Sequence, residues 1–419
     1  GENGTGKSTV ANLIFFLLAR KWYKINDYDF KQISIVINEQ EILISKPYLN
    51  NSIKVLRKSY DVLKQYFSEY SEDNYKLKKQ ISSINLDEFV RNLIFSIEEK
   101  EQNFPSSFHL LELDTKVGEI VKEKILYLPT YRRIEQDLKA IFPDFDSELY
   151  EKKISRISQQ TNYVELVEFG MEDVEQTINN KMDNLKDSIR NRLENLTGTY
   201  LKDVINKVYQ KIEVEELINL DNETVESIFS RIDEKFLPEK EKKELRDMLD
   251  KIKNEGEIEE HQKVTAHFLI KLLKWHQEQQ EQEQDIRNFI KVCNNYLVGK
   301  QLRYDNINLR IYITLDRQNI KNENNQKPEN EEIGLKMLSS GEKQIISLFS
   351  HLYLSDTSDY FVIIDDPELS LSVPWQKRFL PDILHSGRCN GLIAVTHSPF
   401  IFDNELDSYT HSLTEFISQ

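Results

Sequence analysis

Apolar and polar residues alternate in short blocks through the first part of the chain. Segment 8–22 is apolar on nearly every side, which predicts a buried helix. Two runs rich in β-branched residues, 33–38 and 41–46, have two residues between them and predict a β-hairpin. A mixed helical stretch continues to about residue 102, and 123–130 predicts a strand that ends at Pro129. The first 134 residues are therefore expected to combine helices and strands.

The pattern changes to helical periodicity between about residues 135 and 298. A stripe of apolar residues at steps of three and four predicts one face of a long helix. Its members are Met171, Val174, Ile178, Met182, Leu185, Ile189, Leu193 and Leu196. Segment 237–245 predicts a helix start with a proline near its first turn. Segment 261–296 predicts a second long helix, whose polar middle, 276–285, is expected to face solvent on all sides. We interpret 135–298 as a helical insertion or arm.

Strand patterns return after this block, at 301–305 and 309–315. The polar stretch 319–332 shows no periodicity and predicts a flexible loop. From 335 to 417 strands and helices alternate again, and the four apolar residues before Asp365 are typical of a central parallel strand that is covered on both faces. The sequence therefore predicts an α/β fold with a mostly parallel central sheet, an antiparallel subdomain and a large α-helical insertion.

Length, charge and cysteine content limit the class of protein. A chain of 419 residues corresponds to two or three domains at about 150 residues each. The net charge of −16 excludes a uniformly basic surface for nucleic acid, although it is compatible with a local basic groove, and it favours a nucleotide or a protein as the main ligand. The two cysteines, Cys293 and Cys389, form no CxxC pair, so we expect a reducing compartment. No apolar run reaches membrane-spanning length and no secretory leader is visible, so we expect a cytoplasmic protein without a membrane partner.

A phosphate-binding loop opens the sequence. Residues 1–8, GENGTGKS, match the pattern G-x-x-x-x-G-K-[ST] completely. The glycines let backbone N–H groups surround phosphate oxygens, and the helix that follows adds the partial positive charge of its N-terminus. Lys7 is expected to reach the β- and γ-phosphates, and Ser8 to bind Mg²⁺. Because such a loop normally follows a buried strand, we expect one or more strands upstream of Gly1.

Three further segments can carry chemistry beside such a loop. Asp365 follows a buried strand, where an acid can hold the Mg²⁺ of a nucleotide; Asp366 stands where a base could polarise water, and Glu368 follows two residues later. The stretch LSSGEKQ, 338–344, offers hydroxyl and N–H groups to an anion, although alone it is simply a good helix cap. His397 follows an apolar strand at the sheet edge where ligands collect, although a lone histidine is usually structural.

The order of these four motifs resembles the ATP-binding-cassette ATPases of the SMC/Rad50/RecF and OLD-like branch. In that resemblance LSSGEKQ is the signature motif, VIIDDPE is the Walker B strand and THSPF carries the switch histidine. The likeness covers about residues 1–50, 120–135 and 335–403. The stretches DDPELSLS, VTHSPFIFDN and ILYLPTYRR are most similar to single-chain bacterial ATPases of phage defence, such as the ATPase subunits of PARIS-type systems.

The resemblance implies an ABC-ATPase head, formed by residues 1–134 and 299–419, that uses ATP and Mg²⁺ as cofactors. It also implies a homo-oligomer with ATP held between the phosphate loop of one subunit and the signature of another. The implied nucleotide-binding residues are Asn3, Gly4, Thr5, Gly6, Lys7, Ser8 and Thr9 on one side, and Ser339, Ser340, Gly341 and Glu342 on the other. The implied metal ligands are Ser8 and Asp365, and the implied catalytic residues are Asp366, Glu368 and His397.

The sequence departs from the pattern of this branch at several positions. The base after the Walker B aspartate is usually Glu, and the shorter Asp366 predicts slow turnover or a role for Glu368 as the base. Ser340 and Glu342 replace the commoner Gly and Gln of the signature. No Mg²⁺-contacting Gln loop is evident. Segment 129–136, with Tyr131 and Arg132, is the candidate region for that loop, and a plain helix start is an equal alternative.

Three functions fit these features. The first is an ATP-gated sensor and scaffold in bacterial anti-phage defence that controls a separate effector protein. OLD-like nucleases carry a toprim nuclease domain beyond the switch histidine, and its absence after His397 makes a toprim nuclease on another chain the expected effector. The second is a DNA-maintenance ATPase of the RecF or Rad50 type that clamps DNA, so nucleic acid binding stays open. The third is a nucleotide-dependent structural switch with negligible hydrolysis. The helical insertion does not suit a transporter cassette.

Overall fold

The computed structural model describes residues 6–37, 39–54, 108–129, 162–166, 171–211, 215–218, 222–230, 232, 234, 237–256, 258–316, 331–357 and 359–416. Its α-helices of known bounds are α1 (Lys7–Leu18), α2 (Trp22–Ile25), α3 (Phe108–Ile120), α4 (Glu172–Ile205), α5 (Glu215–Ile218), α6 (Asn222–Ser230), α7 (Glu239–Glu255), α8 (Lys263–Gln282), α9 (Gln284–Asn294), α10 (Ser340–Leu354) and α11 (Val373–Leu384). Its strands are β1 (Gln32–Ile37), β2 (Gln40–Ser45), β3 (Lys124–Leu128), β4 (Tyr163–Glu165), β5 (Lys300–Asp305), β6 (Arg310–Leu315), β7 (Glu332–Ile333), β8 (Tyr360–Asp365) and β9 (Cys389–Val395).

The chain divides into two compact units. The first comprises Gly1–Val167 and Asp359–Gln419, and the second comprises Glu168–Ser358. This division differs from the expected boundaries at 134 and 299, because the antiparallel strands β5 to β7 and helix α10 belong to the second unit together with the helices. Strand β4 also lies within the block that was expected to be purely helical.

A parallel sheet with strand order β4-β3-β8-β9 forms the centre of the first unit. Four of the five residues of β3 and five of the six residues of β8 are buried, as the continuous apolar runs predicted. The α/β fold with a parallel sheet is therefore confirmed. The hairpin prediction is also confirmed, because β1 and β2 pair antiparallel with Ile37 opposite Gln40.

Helix α1 packs on this sheet through aromatic contacts. The ring of Phe15 stacks on Tyr127 of β3 with 4.2 Å between ring centroids, and the Tyr127 hydroxyl donates a hydrogen bond to Asn12 Oδ1 at 2.6 Å. Phe15 and Ala11 are fully buried. The apolar side chains of α1, the helix that follows the phosphate loop, thus pack it against the sheet that carries the acidic residues.

The helix predicted over 8–22 is shorter than expected. It ends at Leu18, Arg20 adopts a left-handed backbone with φ 57°, and the short helix α2 starts at Trp22. Asp114 of α3 explains the break, because its carboxylate accepts hydrogen bonds from Arg20 at 3.0 Å and from the indole of Trp22 at 2.6 Å. No local sequence pattern encodes this contact, because the partners are more than 90 residues apart.

The second unit combines helices with a three-stranded antiparallel sheet in the order β5-β6-β7. The predicted apolar stripe is confirmed: Met171, the N-cap of α4, is buried, as are Val174, Ile178, Met182, Leu185 and Leu196 on the helix. The predicted helix start near Pro238 is confirmed by α7, which begins at Glu239. Of the loop predicted over 319–332, residues 319–330 lie outside the described residues, and Glu332 belongs to β7.

The prediction that 276–285 is solvated on all sides is wrong. The long helix predicted there is divided at Glu283 into α8 and α9, and His276, Gln279 and Glu283 are buried. The buried carboxylate of Glu283 accepts hydrogen bonds from Gln279 at 3.2 Å and from Arg287 at 3.0 Å. The buried carboxylate of this polar stripe is therefore hydrogen-bonded by its neighbours along the helices, as buried polar groups generally are.

Within the described ranges, no helix has both the length and the apolar character to cross a membrane.

Replacing Asp114 tests the contact that ends α1. Asp114→Ala leaves the buried indole N–H of Trp22 and the guanidinium of Arg20 without their acceptor, which is expected to lower the free energy of unfolding by about 2–3 kcal/mol. Urea denaturation followed by circular dichroism measures this change. Asp29→Ala, at an exposed position of the same unit, is the control. An equal effect of the two substitutions would contradict the assignment.

Candidate functional site

The parallel register brings two acidic residues and a histidine to one edge of the sheet. Ile364 lies opposite Ala394, and Asp365 lies opposite Val395. The residues that follow β8 and β9 therefore leave the sheet side by side at its carboxyl edge. This is the edge at which open α/β sheets bind their ligands.

The last part of the phosphate loop lies at the same edge. Gly6 has φ 85°, a left-handed backbone that favours glycine, and its carbonyl accepts a hydrogen bond from the N–H of Val10 at 3.0 Å. Lys7, Ser8 and Thr9 then form the first turn of α1. The remaining predicted loop residues, Asn3, Gly4 and Thr5, lie outside the described residues, as do Tyr131 and Arg132.

Ser8 and Asp365 meet across 357 positions of sequence. The Ser8 hydroxyl donates a hydrogen bond to Asp365 Oδ1 at 3.0 Å, and Asp365 is only 2% exposed. A hydroxyl and a carboxylate are oxygen donors of the kind that Mg²⁺ prefers, and Mg²⁺ is often held by one or two protein groups together with substrate phosphates. The two side chains thus fit a Mg²⁺ ion that accompanies a nucleotide. The described part of the chain contains no cluster of three or more His, Cys, Asp or Glu side chains that could hold a metal ion.

Asp366 has an unusual backbone. Its φ is 49°, in the left-handed region, and its N–H donates to the carbonyl of Val395 at 2.9 Å. Among non-glycine residues, Asp and Asn adopt this conformation most readily. The backbone at this position therefore favours Asp over the Glu that the resemblance leads one to expect.

Glu368 is hydrogen-bonded to the segment that contains His397. We call residues 366–371 the acidic turn and residues 396–398 the switch segment. The Glu368 carboxylate accepts hydrogen bonds from the Thr396 hydroxyl at 2.6 Å, the His397 N–H at 2.8 Å and the Ser398 N–H at 3.1 Å. The side chain of His397 is exposed. The structure thus brings Asp365, Asp366, Glu368 and His397 together, with Glu368 turned toward backbone groups.

The signature residues lie in the second unit. Ser339 is the N-cap of α10 and forms a capping box with Glu342: the Glu342 carboxylate accepts from Ser339 N–H at 2.7 Å, and Ser339 Oγ accepts from Glu342 N–H at 3.4 Å. Ser340 and Gly341 form the first turn, where the N–H groups of a helix have no partner within the helix. The helix cap that the sequence predicts is thus confirmed.

Glu342 is held from a second side by Lys300. The ammonium group of Lys300 lies 2.9 Å from Oε1 and 2.8 Å from Oε2 of this carboxylate, which is only 4% exposed. Burial raises the pKa of Glu342, but the hydrogen bonds from Lys300 and Ser339 outweigh burial and hold the pKa below its usual value. The nucleotide-binding role expected of Glu342 stays a prediction, and its carboxylate contacts Lys300 and Ser339 of its own unit.

A cavity of about 960 Å³ runs along the free edge of β9 in the first unit and is lined partly by Lys7, Leu392 and Ala394. Strand β9 lies at one edge of the described four-stranded sheet, and most of its residues are only half-buried. We assign no small-molecule ligand to this cavity.

The arrangement joins a phosphate loop, a buried acid on the adjacent strand, a second acid and a histidine at one sheet edge. A family described as an AAA ATPase domain matches residues 1–402. The chain belongs to the AAA ATPase domain family. A comparison with curated proteins gives no match. Membership implies that the chain is an ATP-binding ATPase, in agreement with the site that the sequence predicts.

Several residues that contact the predicted site residues escape sequence reasoning. Thr396 and Ser398 flank His397 and could have been noticed from their hydroxyl groups. Lys300 and Gln376 carry no local signal, because their partners lie 42 and 22 residues away. Only the tertiary fold reveals them.

Removing the loop lysine tests the nucleotide site of the ATPase. Lys7→Ala is expected to weaken ATP binding by about 100-fold or more, because a charged partner of the phosphates is lost. Titration calorimetry with ATP and Mg²⁺ measures the affinity. Lys24→Ala, an exposed lysine of α2, is the control and should bind as the wild type does. Wild-type affinity in Lys7→Ala would remove the basis for the phosphate-loop assignment.

Proposed function

We propose that this ATPase binds ATP with Mg²⁺ at the carboxyl edge of its parallel sheet and uses the bound nucleotide to associate with a second copy of itself. The contact between Ser8 and Asp365, next to the turn that carries Asp366, carries this proposal. These side chains belong to elements far apart in sequence, and a nucleotide with its metal gives a reason for bringing them together.

In this proposal Lys7 and the first N–H groups of α1 bind the phosphates, and Ser8 and Asp365 hold Mg²⁺, which would neutralise phosphate charge. Asp366 orients the attacking water, and its short side chain reaches less far than that of Glu, so turnover is slow. His397 lies on the neighbouring segment, where it can contact the terminal phosphate. Slow turnover suits a switch whose bound state must persist.

Association is supported by the chemistry of both half-sites. The N-terminus of α10 carries the hydroxyl groups of Ser339 and Ser340, and the partial positive charge of a helix N-terminus suits a phosphate from another subunit. Exposed apolar residues accompany both half-sites: Leu369 lies in the acidic turn, Val373 and Phe400 lie close in sequence to the acidic turn and the switch segment, and Met337 precedes the signature. Apolar groups in these positions favour a protein surface over solvent as their neighbour.

We further propose that the nucleotide-bound homo-oligomer is a sensor and scaffold of bacterial anti-phage defence in the cytoplasm, as in PARIS-type systems, and that it controls an effector on a separate chain. The likeness of DDPELSLS and VTHSPFIFDN to defence ATPases supports this role. A toprim-type nuclease is the effector class to test first. The net charge of −16 favours a protein over DNA as the main macromolecular partner.

Replacing the proposed base should trap the associated state. Asp366→Asn keeps the size of the side chain and its tolerance of a left-handed backbone but cannot accept the proton, so turnover should fall by about 100-fold or more while ATP binding persists. Light scattering after gel filtration with ATP and Mg²⁺ should then show a stable oligomer. Lys7→Ala should stay dissociated. Unchanged turnover in Asp366→Asn would exclude Asp366 as the base.

The trapped variant also tests the partner. Full-length Asp366→Asn, purified from its host with ATP and Mg²⁺, should retain a nuclease-type protein in stoichiometric amount, as identified by mass spectrometry. The same preparation of Lys7→Ala is the control. Retention of duplex DNA without a second protein, with an affinity that falls steeply with salt, would favour the DNA-clamping function instead.

Lys300 should matter for association and not for nucleotide binding. Lys300→Met leaves the buried carboxylate of Glu342 without its cation and should loosen the N-terminus of α10, so ATP-dependent association should weaken by about tenfold or more while ATP affinity stays unchanged. Sedimentation velocity with ATP measures association. Lys300→Arg should retain it, and the double variant Lys300→Met/Glu342→Gln should recover it, because a neutral amide needs no cation. Wild-type association in Lys300→Met would contradict this role.

A further inference from the structure

The carboxylate of Glu368 is surrounded by donors that all come from the switch segment. Oε1 accepts from the N–H groups of His397 and Ser398, and Oε2 accepts from the hydroxyl of Thr396. We propose that Glu368 is a positioning residue that fixes His397 relative to Asp366, and that it does not act as the base. The proposal rests on the ATPase function proposed above.

The number and direction of these bonds argue against a base. An ionised carboxylate offers about four acceptor positions, and three of them are used by groups of the protein. Bonds to an ionised acceptor are roughly twice as strong as neutral ones. A base must direct an acceptor position at water, whereas Glu368 directs its oxygens at two consecutive backbone N–H groups and one hydroxyl.

A second set of hydrogen bonds, through Gln376, links the switch segment to the acidic turn. The Ser398 hydroxyl donates to Gln376 Oε1 at 2.6 Å, and Gln376 Nε2 donates to the carbonyl of Leu371 at 2.9 Å. Gln376 is buried on α11. The Ser398 N–H also contacts Thr396 Oγ1 at 3.0 Å. The switch segment is thus fixed to the beginning of the acidic turn through Glu368 and to its end through Gln376.

Hydrogen bonds within the acidic turn extend this network to Asp366, the proposed base. The N–H of Leu369 donates to the carbonyl of Asp366 at 3.1 Å, and the N–H of Leu371 donates to that of Glu368 at 3.1 Å. The N–H of Asp366 itself donates to Val395, directly before the switch segment. Asp366 and His397 therefore belong to one connected set of hydrogen bonds, to which Glu368 contributes its carboxylate. Loss of Glu368 should change the position of His397 and leave the phosphate loop intact.

Comparison of Glu368→Gln with Glu368→Ala separates positioning from proton transfer. The Gln carbonyl can still accept from the N–H groups of His397 and Ser398, and its NH₂ group can donate to the Thr396 oxygen, but it cannot serve as a base. We expect Glu368→Gln to keep kcat within about threefold of wild type, and Glu368→Ala to lose on the order of 100-fold in kcat, with little change in KM for ATP. Asp403→Ala, an exposed carboxylate of the same unit, is the control.

Hydrogen exchange of the full chain gives a second readout that does not depend on turnover. The N–H groups of His397 and Ser398 should exchange about tenfold faster or more in Glu368→Ala, and at the wild-type rate in Glu368→Gln. Equal loss of kcat in both variants, with wild-type exchange in Glu368→Gln, would assign proton transfer to Glu368 and overturn the proposal. Wild-type exchange in Glu368→Ala would also overturn it. If the wild type hydrolyses no ATP, the proposed function fails, and exchange alone decides the positioning role.

Discussion

The register between β8 and β9 is the constraint on which the whole candidate site depends. It places Asp365 opposite Val395, so that the residues after each strand leave the sheet together. A slip by one residue would turn every side chain of a strand to the other face, and Asp365 would lose its contact with Ser8. The hydrogen bond from the Asp366 N–H to the Val395 carbonyl is the last one in this alignment. The positions of the functional side chains at this edge therefore depend on the backbone pairing between β8 and β9.

The site keeps two features that are locally unfavourable. Asp365 is a buried carboxylate, and Asp366 has a left-handed backbone that costs on the order of 1 kcal/mol. Asp365 ends and Asp366 follows a strand in which four apolar residues are buried, and burial of apolar side chains stabilises by about 1.5–3 kcal/mol per residue. The apolar burial along the strand can thus offset the cost of burying the Asp365 carboxylate and the cost of the left-handed backbone at Asp366. Such local costs are commonly found where a protein binds a ligand.

The sequence predicts those parts of the molecule whose cause is local. The β1–β2 hairpin, the apolar strands β3 and β8, the stripe on α4 and the cap at Ser339 all follow from neighbouring residues. The break after Leu18 and the contact between Lys300 and Glu342 do not, because each depends on a partner brought in by the tertiary fold. The phosphate loop and Asp365 could be assigned to one site from their motifs. The orientation of Glu368 could not, because the pattern DDPE is equally compatible with a base and with a backbone acceptor.

Glu342 and Glu368 hold the loops next to them in the same physical way. Each carboxylate accepts a hydrogen bond from a backbone N–H of the loop whose position matters: Ser339 before the signature helix, and His397 after β9. A free carboxylate near a polyphosphate would repel it, since both are negative, whereas a carboxylate whose oxygens are occupied by N–H, hydroxyl or ammonium donors has much of its charge compensated. The protein can therefore place acidic residues beside an anionic ligand and use them to hold loops.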